Sequence, residues 1–177
     1  MVGFAQKGDE RVRLKIASSE AVPALVQNVL AEDESAAVRR RLAANGKLSS
    51  EAAEKLLSLH DHETDLALAG NPAVPLSLLE ELLEGDDGLM MAFACRDGLC
   101  GADLEFVLEH GDDSALYALV YQETDCTEMS AESAVRLSLN ALPSVRTLAA
   151  AAHSLPLRMM TELSHDASPL VRMALTR

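Results

Sequence analysis

Few stretches of this chain carry residue types that could do chemistry. His60-Asp61-His62-Glu63 places two imidazoles and two carboxylates in four consecutive positions, donors that hold zinc when they converge. Consecutive residues do not share a helix face, and the His-x-x-x-His register of a helical metal site is absent, so solvated turn residues are expected. Cys95, Cys100 and Cys126 supply at most three thiolates, where a cubane cluster takes four. Their odd number and lack of a framework pattern point to reduced thiols. Asp103 falls where other parts of the chain place an apolar residue, and a one-residue displacement of its helix turns it outward. There is no phosphate-binding glycine loop, no Gly-x-Ser-x-Gly and no nucleophile with an evident base. No catalytic residue, cofactor or metal site is expected.

What the chain has in abundance is acid. Its formal net charge is −13 over 177 residues, and the carboxylates collect at intervals: Asp9 and Glu10; Glu32, Asp33 and Glu34; Asp61, Glu63 and Asp65; Glu84, Asp86 and Asp87; Glu109, Asp112 and Asp113; then Asp166. The intervals follow a repeat. Pro143-Ser144-Val145-Arg146 returns 26 residues later as Pro169-Leu170-Val171-Arg172. The column of that Val runs through Val12, Val38, Thr64, Leu89, Ala115, Val145 and Val171. Four places on sits an apolar residue (Ile16, Leu42, Leu68, Phe93, Leu119, Ala149, Leu175), followed by a mostly small one. A second pair, four apart and apolar except at Ser133, closes each unit: Val26/Leu30, Ala52/Leu56, Leu78/Leu82, Ser133/Leu137 and Met159/Leu163, with the fourth repeat displaced by one to Leu104/Leu108.

Each unit reads as two short helices, since these spacings put apolar residues on one face of a 3.6-residue period. Pro or Ser opens the second helix, and Asn45-Gly46 and Asp97-Gly98 are expected to end first helices through left-handed geometry. One helix pair cannot bury its own apolar face, so the units must stack. The expected architecture is an all-α, right-handed α-solenoid of about six and a half repeats of ~26 residues. The whole chain forms one domain, with units 7–32, 33–58, 59–83, 84–109, 110–139 and 140–165 and a half unit 166–177. Equivalent links then line one edge and make it acidic. That edge either compensates helix N-termini and aids solubility or receives a basic partner. Asp61, Glu63, Asp86, Asp87, Asp112 and Asp113 are the candidate contacts. Tyr117 and Tyr121 join them beside the four-residue insertion at 123–126.

The phrase Asp166-Ala167-Ser168-Pro169-Leu170-Val171-Arg172 resembles the leucine-rich repeat variant, a bacterial all-helical repeat, as does Leu68-Ala69-Gly70-Asn71-Pro72-Ala73-Val74-Pro75. The resemblance implies a right-handed superhelix related to HEAT repeats, in which an Asp and an Arg six apart form a ladder between units. Asp33/Arg39 and Asp166/Arg172 keep that spacing, and Arg13 and Arg146 keep the Arg alone. Asp65, Met90 and Leu116 replace it in the middle units. One protein of this family resembles an iron–sulfur carrier with a separate Cys cluster ahead of its repeats. These residues contain no such segment, and an iron–sulfur or metal association through Cys95, Cys100 and Cys126 is the alternative reading.

Helical repeats also include DNA-base glycosylases, the remote alternative. Those need a basic groove and aromatic residues for an extruded base, and a chain at −13 without Trp fits neither need. No membrane span or signal peptide is expected. The sequence reads as a cytoplasmic, non-enzymatic scaffold for a partner protein. Leu170 and Met173 at the C-terminal end are expected to support a weak homodimer.

Overall fold

The computed structural model describes residues 2–176. Among them are fourteen α-helices and no strand. The chain divides into two compact units that meet in sequence at Arg96 and Asp97.

The first unit holds α1 (Val2–Lys7), α2 (Glu10–Ala17), α3 (Ala24–Ala31), α4 (Ala36–Ala43), α5 (Ser50–Leu57), α6 (His62–Ala69), a 3₁₀ turn (Leu76–Leu78), α7 (Glu80–Leu83) and α8 (Asp87–Ala94). Helices two places apart pack together: α2 on α4, α4 on α6, α6 on α8, and in a second series α1 on α3 and α3 on α5. Residues 2–7, ahead of the first repeat, therefore add a helix to the second series. In the second unit, α9 (Gly101–His110), α10 (Asp113–Tyr121), α11 (Ala131–Ser138), α12 (Pro143–Ala151), α13 (Leu157–Leu163) and α14 (Pro169–Ala174) repeat the scheme. There α10 packs on α12 and α12 on α14, while α9 packs on α11 and α11 on α13.

Local chemistry starts these helices where the columns place them. Asp9, Ser49, Asp86, Asp112 and Ser130 accept first-turn backbone N–H groups, satisfying donors that a helix start leaves free. Pro143 and Pro169 occupy first-turn positions, where the missing N–H costs nothing. From Val38 to Val171 the core follows the columns, and Val38, Leu42, Leu68, Phe93, Leu119, Val145 and Ala149 are all fully buried, whereas Val12 in the first repeat is exposed. Each leucine so placed contributes about 1.5–3 kcal/mol of transfer free energy.

Two local expectations are corrected. α4 and α8 end at Ala44 and Cys95 with negative φ, so neither Asn45-Gly46 nor Asp97-Gly98 ends a first helix through left-handed geometry. Among the described residues positive φ is confined to His60, Glu123, Gly98 and Gly101, and Gly98 takes it only in the link beyond the helix. In the third repeat the buried pair is Leu79/Leu83, at 1% and 2% exposure. Leu78 and Leu82 are half-buried instead. The 3₁₀ turn at Leu76–Leu78 advances the chain by three residues per turn rather than 3.6. It thereby shifts the inward face by one position.

Candidate interaction edge

The links between repeats are held by two side-chain ladders. The first is ionic. Arg13 forks the Asp33 carboxylate, Nε to Oδ2 at 2.8 Å and Nη2 to Oδ1 at 3.2 Å. Arg146 does the same to Asp166 at 2.7 and 3.0 Å. Each Arg also clamps the entry to its own helix: Arg13 donates to the Gly8 carbonyl, Arg39 to Asp33, Arg146 to Asn140 and Arg172 to Asp166. The Asp and Arg six apart therefore bond through a backbone carbonyl. The carboxylate itself pairs with the Arg 20 residues earlier. The paired acids also accept N–H groups from Ser35 and Ser168. The Arg146 hydrogen bond holds the Asp166 carboxyl below its ordinary range.

The ladder weakens in the middle of the first unit. Arg39 reaches Asp61 through one contact of 3.5 Å, and its Nε is buried without a hydrogen-bond partner. The Thr64 hydroxyl donates to Asp61 at 2.7 Å, and this bond, with Arg39 nearby, lowers the Asp61 carboxyl. The next helix puts Asp65 in the Arg column. Asp65 is 6% exposed, its Oδ1 has no hydrogen-bond partner, and burial pushes its carboxyl upward.

The second ladder runs from side-chain N–H groups to backbone carbonyls, with no carboxylate in it. Asn45 donates its amide N–H groups to the carbonyls of Ala17 and Ser19, at 2.7 and 3.0 Å. One repeat on, Asn71 donates to Ala43 and Asn45 at 2.6 and 2.9 Å. Arg96 takes the next place in the column and donates to Ala69, Leu68 and Val74. Its guanidinium lies 4.1 Å from the Phe93 ring centroid. These side chains satisfy carbonyls that a helix C-terminus leaves open. Asn, Asn and Arg at repeat spacing were the available signal. In the second unit Glu105 ties α9 to α11 by accepting from the Ser130 N–H and the Ser133 hydroxyl. Burial alone would raise its carboxyl, but these bonds lower it overall.

The candidate contacts divide into two sets. Asp86 caps α8 through the Gly88 and Leu89 N–H groups and lies 3.6 Å from His62. Asp112 caps α10 through Ala115 N–H, and Asp61 belongs to the ionic ladder. Glu63, Asp87 and Asp113 are exposed. Glu63 meets the exposed Arg40 at 3.3 Å, and Asp113 accepts from Asn140 at 3.0 Å. Tyr117 and Tyr121 are 52% and 80% exposed. With Asp113 they occupy one face of α10 at four-residue spacing.

The insertion is a folded loop: Asp125 accepts the Thr127 N–H and hydroxyl, and the Thr127 carbonyl accepts from His153 N–H. Cys126 is buried and its thiol is pushed up to about 12, chiefly by that burial, whereas metal ligation needs a thiolate. Cys95 and Cys100 are exposed. Among the described residues no three His, Cys, Asp or Glu groups gather closely enough to hold a metal ion. No helix there is long and apolar enough to cross a membrane. Leu170 and Met173 are 64% and 59% exposed. In comparisons with family models, curated proteins and solved structures, nothing matches this chain.

Proposed function

We propose that this chain is a non-enzymatic interaction module whose acidic edge receives a cationic segment of a partner protein. The observation that carries the reading is the face of α10. It combines the exposed Asp113 carboxylate with two exposed phenol rings, while every other aromatic residue except Phe4 is at least half-buried. A carboxylate beside aromatic faces suits lysine or arginine, through charge and through cation–π contact. It repels nucleic acid and anionic lipid. We further propose that the chain is a right-handed α-solenoid related to the leucine-rich repeat variant and works in the cytoplasm. The column agreement and the packing of helices two places apart support the stacked repeat.

The test is a titration of a labelled lysine- and arginine-rich peptide, followed by fluorescence anisotropy. Binding should weaken with salt and should be lost when Tyr117→Ala and Tyr121→Ala are combined with Asp113→Asn. Affinity that survives all three substitutions would reduce this face to a solubilising surface.

A further inference from the structure

The second series of helices has a gap. α1 packs on α3 and α3 on α5, but α5 and α7 make little contact. The cause is the interrupted helix of the third repeat, where the 3₁₀ turn and the four-residue α7 replace a full α-helix. The gap is an open groove of ≈ 610 Å³ between α5 and the 3₁₀–α7 segment. Its floor is apolar: Leu57, with Leu78 and Leu82, the two leucines that the register shift turned out of the core. Its rim carries the exposed carboxylates of Glu54, Glu80 and Glu81, which form no ion pair among the described residues. His60 also lines it, held at φ 50°, a left-handed conformation that is costly for a non-glycine residue and concentrates at functional sites.

We infer that this groove docks a short amphipathic helix of a partner protein, one that lays an apolar stripe on Leu57, Leu78 and Leu82 and sets lysine or arginine against Glu54, Glu80 and Glu81. Charge complementarity selects that occupant. Three carboxylates without internal cations reject an acidic helix and leave uncompensated charge beside an apolar one. Helix-in-groove recognition needs anchors at i, i+3 or i+4 on one side of the ligand, which a floor of three leucines can seat. Apart from Ser58 and His60 the groove is lined by the second helices, and none of the acidic contacts proposed for the edge lines it, so this site stands independently of the function proposed above.

The experiment uses the full chain and a fluorescein-labelled helical peptide with leucine at i, i+3, i+4 and i+7 and lysine on both flanks. A control peptide carries glutamate in place of each lysine. The lysine peptide should bind, and added salt should weaken it. Glu80→Lys with Glu81→Lys, and separately Leu82→Glu, should weaken it roughly tenfold or more. Tyr117→Ala with Tyr121→Ala should leave it unchanged, which separates this groove from the α10 face. Circular dichroism confirms that each variant keeps its helicity. The exposed pair Glu80 and Glu81 keeps the test valid if Leu82→Glu fails to fold. Equal binding of both peptides, no binding, or affinity insensitive to Glu80→Lys with Glu81→Lys would overturn the proposal. So would a concentration-dependent dimer of the chain alone that Glu80→Lys with Glu81→Lys abolishes, because the groove would then belong to a second copy.

Discussion

The links at Asp166 and at Asp61 occupy the same place in the repeat and are held differently. At Asp166 a guanidinium forks the carboxylate through two hydrogen bonds, and the following helix supplies Arg172 to clamp the entry. At Asp61 the guanidinium makes one 3.5 Å contact, and the following helix supplies Asp65, whose Oδ1 is buried without a hydrogen-bond partner. The apolar columns hardly register the change, since Leu68 is as completely buried as Ala149. Packing and ionic pairing are therefore separable layers of this repeat. The third repeat keeps the first, loosens the second and leans on the Asn71 amide.

The largest effect should come from the layer both links share. Leu68→Ala should cost ~2–5 kcal/mol, read as a fall in the urea midpoint. An unchanged midpoint would break the assignment of the core columns. Next is the ionic layer. Asp166→Ala strands Arg146 and should cost about 2 kcal/mol at neutral pH. Because the folded Asp166 carboxyl lies below its ordinary range, its stabilisation is present above the unfolded-state value and is lost as pH falls through the folded one. Asp166→Ala should therefore flatten the acid limb of a stability–pH curve. Asp65 has the opposite sign. Its folded carboxyl is raised by burial, so its destabilisation is full above that raised value, fades as pH falls through it and is gone below the unfolded-state value. Asp65→Asn should gain about 1 kcal/mol at neutral pH, and the gain should fade in acid. A loss at neutral pH would mean that the carboxylate is bonded after all. The smallest effect belongs to the solvent-facing acids. Neutralising Glu63, Asp87 and Asp113 should each shift stability within ~0.5 kcal/mol, and a larger change would place them among the structural residues.

Much of this organisation is legible in one dimension. Apolar residues at four-residue spacing, returning every ~26 residues, determine the helices and most of the buried set from Val38 to Val171, and the Asp, Ser and Pro before them mark the helix starts, because periodicity and hydrophobicity are local properties. Even the outward position of Tyr117 and Tyr121 follows from helix phase relative to Ala115 and Leu119.

Tertiary structure decided what depends on partners far along the chain. Asn45 reads as a turn residue until the Ala17 and Ser19 carbonyls stand beside its amide. Asp33 belongs by spacing with Arg39, yet its carboxylate is taken by Arg13 of the preceding repeat. The 3₁₀ turn that moves Leu78 and Leu82 from core to groove follows from no strong local signal, since Leu78/Leu82 and Leu79/Leu83 are equally apolar pairs at equal spacing. A one-residue change in register costs the sequence pattern nothing. Only the neighbouring helices choose which leucines are buried.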